Sequence, residues 1–317
     1  MDGIGRKERG HEMTLWKKSW FVTLIAVFCC SLWGSAGPFI KKGYALFAVD
    51  PKDTASILVF AGLRFTLAGI LVLLVDWLLH PQKEWKIQPR SVLCLAIFQT
   101  TAQYIFYYLG LAHTSGVRAA IVNGTGALFA LLCACYVFHT EKMTSSKLIG
   151  VISGFVGILI MNHFSFGLEL GTILVLLSQV SAAISSCLIN RFTQKEDPVQ
   201  LSGAQFLLGG LLLIGIGLLH GGHSPHGPMS GWFVLIYLAC LSAIAYTLWS
   251  LLLQSNPVSK ISIFNSLIPV LGVFISAFLL QEYDQAFAWT TWVALLFVSG
   301  GILFVTIGKD KKVRKSV

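Results

Sequence analysis

Apolar residues run along the chain in blocks, each closed by a polar cluster, glycines or a proline. A helix needs about 20 such residues to cross a hydrocarbon layer roughly 30 Å thick. Ten blocks meet or approach that length. They are Trp20–Ile40, Ser56–Leu79, Ser91–Leu111, Val117–Phe138 and Ser146–Met161, then Gly171–Arg191, Leu201–His220, Gly231–Gln254, Ser259–Leu280 and Ala288–Gly308. The fifth is short. The pattern predicts ten membrane-spanning helices joined by brief connections, an all-α membrane protein.

Composition sharpens this. Hydrophobic residues make up 55% of the 317 and charged residues 12%, against about 25% charged in soluble domains. An ordinary soluble globular protein is thereby excluded. The net charge of +9 does not point to nucleic acid, because the Lys and Arg sit in tails and short loops without a basic helical face or recognition motif. Seven cysteines lie inside apolar blocks with no C-x-x-C spacing and read as small packing residues. Arg6 to Gly37 imitates a secretory signal, but its apolar run is too long and nine more follow; it reads as a retained first helix.

Basic residues also set orientation. With the N-terminus inside, the inner segments carry eighteen Lys and Arg and the outer ones only Lys41, Lys42, Lys52 and Arg118. Both termini are therefore expected to be cytoplasmic.

Compared with itself, the sequence matches at an offset near 141. Leu63 to Gly69 overlies Ala204 to Gly210, Arg118 and Asn123 overlie Lys260 and Asn265, and Glu141 overlies Glu282. Gly157-Ile158-Leu159 then meets Gly301-Ile302-Leu303. Four matches in order imply two copies of five helices. Five is odd, so the second copy enters the membrane from the opposite side. The expected organisation is a cytoplasmic N-terminal tail (1–19), two inverted five-helix repeats (20–162 and 163–308) and a basic cytoplasmic C-terminal tail (309–317). Inverted repeats make inward-open and outward-open forms near-equivalent in energy, the architecture of alternating access.

At these residues the chain resembles the drug/metabolite transporter superfamily, in its ten-helix EamA-type branch. The resemblance rests on Trp33-Gly34-Ser35, on Arg64-Phe65 with Ala68, on Glu141 followed by Gly150 and Gly157, and on Pro269 between Asn265 and Glu282. It implies a transporter of small organic metabolites, often an exporter, with its pathway between the halves.

Polar side chains inside a membrane are costly unless they face protein or a wet cavity. Gln99, Gln103 and Tyr107 recur every four residues on the third helix, with Tyr104 beside them. Gln179, Ala183, Ser186 and Asn190 form a similar stripe on the sixth. Ser242, Tyr246 and Trp249 come from the eighth and Trp33 from the first. These read as cavity lining suited to partly apolar ligands; the alternatives are helix-to-helix hydrogen bonds and interfacial belts. Small residues on the fourth (Ala119, Asn123, Ala127, Ala130, Ala134) and ninth (Ser262, Asn265, Pro269, Gly272, Ser276) read as the contact between halves, with Asn123 and Asn265 able both to pack and to line a path. Pro269 should kink its helix.

Arg64 is the one basic residue deep in a block. It is either a partner for a substrate carboxylate or phosphate or a fold element bonding helix carbonyls, and the family's second-helix pattern favours the latter. No acid lies in mid-span, which weighs against coupling through a membrane carboxylate and leaves facilitated diffusion or exchange as the expectation. Glu141 and Glu282 are either a gate pair or helix-end caps. His220, His223 and His226 lie in a Gly/Pro-rich loop with no Cys or acid beside them, and no metal or cofactor site is expected. No nucleophile motif, P-loop or dinucleotide fingerprint is present, so no enzyme activity is expected.

The expected function is a cell-membrane secondary transporter of a small metabolite, an amino acid or similar amphipathic compound. The alternative is a non-transporting sensor or assembly factor on a carrier fold. The expected partners are the metabolite and membrane lipid, not nucleic acid; monomer and homodimer stay open.

Overall fold

The structure, a computed structural model, describes residues 16, 18–139, 142–161, 169–256, 261 and 263–313. Those residues are helical or in turns and short irregular connections, with no strand among them. The long helices are α1 (Ser19–Leu46), α2 (Thr54–Leu79), α3 (Pro89–Ala112), α4 (Gly116–Val137) and α5 (Ser145–Met161). The second set is α6 (Leu170–Phe192), α7 (Pro198–Leu219), α8 (Met229–Ser255), α9 (Leu267–Leu280) and α10 (Trp289–Val313). Seven, α1–α4 and α6–α8, are long and apolar enough to cross a membrane, while the apolar stretches at α5, α9 and α10 are shorter. Glu141 and Lys260 lie outside the described residues, as do 1–15 and 314–317 of the expected tails.

Local chemistry sets the ends. Asp53 caps α2 by accepting the Ser56 N–H at 3.0 Å; hydrogen bonding from the Ser56 side chain first, and from its N–H second, holds the carboxyl below the usual carboxylate range. Asp197 caps α7 ahead of Pro198 by accepting from Val199 and Gln200, and proline suits a first turn because its missing N–H has no partner there.

The bundle sets polar side chains within an apolar core and turns an apolar face outward. Arg64, Gln99, Thr100, Gln179, Gln205, Ser242 and Ser276 are buried, whereas Leu24, Phe28, Leu74, Val75, Ile149, Ile152, Phe233, Phe278 and Leu296 are exposed. Lipid, not water, is the solvent that makes this arrangement favourable.

Three pairs of equivalent helices from the two halves meet antiparallel. On α2 and α7, a Cβ added to Gly62 would lie 2.7 Å from the Gly210 carbonyl, and one added to Gly69 2.8 Å from the Gly203 carbonyl. Phe65 stacks on Phe206 with ring centroids 5.5 Å apart. Gly157 faces the Ala294 carbonyl and Gly301 the Gly150 carbonyl, which pairs α5 with α10. Gly116, Ala120 and Gly124 of α4 face Ser276, Gly272 and Pro269 of α9. Reciprocal contacts complete the symmetry: α1 packs on α8 and α9, and its equivalent α6 packs on α3 and α4. Small residues permit these approaches.

Ties also join the ends of the α2–α7 pair. Lys83 bonds Asp76 at 2.7 Å and Asp197 at 3.0 Å. Partial burial opposes the Lys83 charge, but hydrogen bonds to Asp76 and Asp197 raise its pKa above the ordinary lysine value. Glu196 accepts from Ser91 Oγ at 2.5 Å and the Gln88 N–H at 2.8 Å. At the opposite end, the His223 N–H donates to Ser56 Oγ at 2.9 Å. This loop docks through backbone, and among the described residues no group of three His, Cys, Asp or Glu is placed to hold a metal.

Three readings of helix geometry are corrected. The ninth helix does not run unbroken from Ser259, since a 3-10 turn, Ile263–Ser266, precedes α9. Pro269 therefore sits in the first α-helical turn, where it needs no N–H, instead of kinking a continuous helix. The tenth helix continues past Gly308 to Val313.

Candidate functional site

A cavity of about 210 Å³ lies between the halves, walled by α1, α2, α3, α4, α6, α8 and the start of α9. The third-helix residues reach it through a local change in winding. Residues Ala96–Ala102 form a π-helical turn, a feature that inserts one extra residue per turn and re-aims side chains. Gln99 sits within this turn, and Gln103, Tyr104 and Tyr107 follow it onto the cavity wall. Trp33 comes from α1, Asn123 from α4, Gln179 from α6, Tyr246 and Trp249 from α8, and Asn265 from the turn before α9. Ten of the residues predicted to line a path thus border one space together with Ser186, and Arg64 borders it as well, whereas Ser242, Ala183 and Asn190 do not.

The wall is partly self-satisfied. Gln179 Nε2 donates to Asn123 Oδ1 at 2.7 Å and to Ser178 Oγ at 2.9 Å. A Cβ on Gly126 would strike Gln179 Oε1, so glycine there leaves room for the carboxamide. The Tyr104 and Tyr246 hydroxyls lie 2.6 Å apart. Trp33 packs edge-on against Tyr246 and Trp249, with centroids 5.3 and 4.9 Å away. Two buried polar atoms on the wall have no protein partner, Trp33 Nε1 and Asn265 Oδ1. Neither atom is open to the cavity as the side chains stand; a ligand that turns these side chains would gain a hydrogen bond at little extra desolvation cost, because the atoms are already withdrawn from water.

Arg64 is 1% exposed. Its Nε donates to the Leu238 carbonyl and to Ser242 Oγ, both at 3.1 Å, and Nη1 donates to Tyr108 Oη at 3.0 Å. The guanidinium also lies 4.8 Å from the Phe65 ring centroid and 5.7 Å from that of Tyr104. No carboxylate pairs with it among the described residues. Both readings of Arg64 thus have a basis: it ties α2 to α3 and α8, and it borders the cavity.

Glu282 follows α9 and receives the N–H groups of Gly116 at 3.0 Å and Val117 at 2.9 Å. It therefore caps α4 of the opposite half, while Lys41 Nζ donates nearby to the Thr114 carbonyl at 2.6 Å. Glu282→Ala removes two charge-assisted bonds and should lower stability by about 1–2 kcal/mol. Its unfolding midpoint in detergent should fall, and Glu282→Gln should recover part of the loss.

Two stripes are displaced from their predicted faces. On α4, Asn123, Ala127 and Ala130 border the cavity, and the contact with α9 is made by Gly116, Ala120 and Gly124. The helix is interrupted at Gly124 and Thr125, where bonds run from Gly124 N to Ile121 O and from Thr125 N to Val122 O. On α6, Ala182, Ser185, Ser186 and Ile189 face the cavity beside Gln179, whereas Ala183 and Asn190 are not on its wall. Ala36, Ser250 and Ile268 complete parts of the wall that the sequence reading missed; small and aliphatic residues carry no sign that separates a cavity from lipid or packing.

An all-helical bundle with an apolar exterior, antiparallel equivalent helices and a polar, aromatic cavity between its halves defines a multi-pass membrane protein built to hold a small molecule. The family model for the EamA-like transporter family matches residues 20–163 and again 169–307, and the chain belongs to that family. It is 28% identical over 266 residues to an uncharacterized transporter of Archaeoglobus fulgidus, covering 84% of this chain and 91% of that one. It is 23% identical to the uncharacterized transporter YetK of Bacillus subtilis, over 80% and 78% of the two chains. With uncharacterized transporter sll0355 of Synechocystis it shares 26% identity over 84% of each. Among the solved structures that match, a crystal structure has a TM-score of 0.64 at 18% identity, covering 92% of this chain and 98% of that one, a likeness of fold. The protein is a membrane transporter.

Proposed function

We propose that the protein is a secondary transporter that moves a small organic metabolite, an amino acid or similar amphipathic compound, across the cell membrane by alternating access. In this reading ten helices cross the bilayer as two five-helix halves, 20–162 and 163–308, with both termini cytoplasmic and export as the working direction. The observation that carries it is the cavity between inverted halves, bordered by amides, indoles and phenols together with Arg64.

The cavity is biased to one side. Its wall includes Ile189 and Ser250 near the C-terminal ends of α6 and α8, the ends that positive-inside bias assigns to the cytoplasm. Toward the other face, α9 closes on α1 and α4 where Gly34 meets Leu271 and Gly116 meets Ser276. This is an inward-facing arrangement. Opening outward requires these contacts to part, and the inverted repeat supplies an equivalent packing for the opposite side.

Full-length protein reconstituted in vesicles should give saturable flux of at least one amino acid or amphipathic metabolite. Profiling metabolites of cells with and without the protein selects which to load. Unchanged pools, together with flux no faster than empty vesicles for the compounds tested, would count against transport.

A further inference from the structure

The cavity is electrostatically one-sided. Arg64 is the one charged side chain on its wall, and no Asp, Glu, Lys or His borders it among the described residues. Inverted repeats could have balanced or doubled that charge, but the equivalent position is the neutral Gln205, whose Oε1 accepts from Thr100 Oγ1 at 2.5 Å. Tyr108, Ser242 and the Leu238 carbonyl hold the guanidinium with neutral groups, which leaves its charge uncompensated among the described residues.

An unpaired charge withdrawn from water is unfavourable, and a counter-ion arriving in the same low-dielectric space relieves part of that penalty. A second cation brought there would add repulsion instead. Trp33 Nε1 is an unpartnered donor and Asn265 Oδ1 an unpartnered acceptor, both closed off from the cavity as the side chains stand, so a turn of either side chain on ligand entry would let the wall bond a carboxylate or one further donor of the same ligand. Trp33, Trp249 and Tyr246 offer ring surface for an apolar body.

We infer that the transported compound carries a carboxylate that enters the field of Arg64, and that the cavity rejects organic cations of the same shape. This rests on the transporter reading for the word transported; the charge preference concerns binding alone. Three isosteric probes test it: labelled 3-phenylpropionate, 3-phenylpropanol and 3-phenylpropylamine, measured by equilibrium binding to full-length protein in detergent and corrected for empty micelles. The carboxylate should bind at least about tenfold more tightly than the amine, with the alcohol between. Arg64→Gln should bring the three within about threefold of one another. Because that change also removes bonds between α2, α3 and α8, Asn265→Asp is the second variant. It leaves Arg64 and its partners in place, puts a carboxylate on the wall, and should cut the preference at least about tenfold.

The inference is overturned if the amine binds as tightly as the carboxylate, if the carboxylate shows no saturable binding, or if Asn265→Asp leaves the ratio unchanged. Charge-selective binding without flux of any metabolite would contradict the transporter reading and leave the inference standing. Flux with the amine preferred would do the reverse.

Discussion

Gly69→Val is expected to lose most of its folded, monodisperse protein in detergent. A Cβ at this position would lie 2.8 Å from both the Gly203 carbonyl and the Leu207 Cα. These are backbone atoms of a packed helix, so no side-chain rotation relieves the clash, and α2 must move off α7 along the seam that joins the halves. Overpacking typically costs about 1–3 kcal/mol, and this site belongs at the upper end because both sides of the contact are backbone. Gly215, also on α7, has nothing within 4 Å of an added Cβ. Gly215→Ala should therefore be neutral or gain about 0.5–1 kcal/mol from helix propensity. Unfolding midpoints and elution profiles of both variants check the pair. Similar profiles for the two would show that the α2–α7 seam is looser than described.

Trp33→Ala should reduce flux by roughly thirtyfold, corresponding to about 2 kcal/mol of lost ligand interaction. The indole forms one wall of the cavity, stands edge-on to Tyr246 and Trp249, and holds an unpartnered N–H. Truncation removes ring surface and donor together. Trp33→Phe keeps the ring and loses only the N–H, so it should recover much of the flux. Initial rates in vesicles, normalised to folded protein, distinguish lost binding from lost fold. Flux by Trp33→Ala equal to the parent would remove Trp33 from the path.

Much of this architecture was readable before any coordinates, because lipid imposes simple rules. Two examples are α2, read as Ser56–Leu79 and found as Thr54–Leu79, and α7, read as Leu201–His220 and found as Pro198–Leu219. The large polar side chains were equally conspicuous: an amide such as Gln99 or Gln179 has few favourable places in a span, and a cavity wall is one of them. What stayed hidden follows from backbone irregularity and from small residues. The π-helical turn at Ala96–Ala102 and the interruption at Gly124–Thr125 change which face a residue presents, and an ideal period of 3.6 cannot register them. Ala120 and Ala127 are chemically identical, yet one meets Gly272 and the other borders the cavity. The family's order of motifs places Arg64 but not its surroundings; that its hydrogen-bond partners among the described residues are neutral depends on residues 44 to 178 positions away.

Alternating access requires the cavity to be reachable from each face of the membrane in turn. Ala127 borders it and Cys adds a single heavy atom there, so Ala127→Cys can be placed in a chain whose seven native thiols have been replaced. In sealed vesicles, membrane-impermeant thiol reagents applied from either side should both modify it. Imposing a gradient of a transported metabolite should then raise the rate from one face and lower it from the other. Modification from a single face under every gradient would contradict alternating access through this cavity.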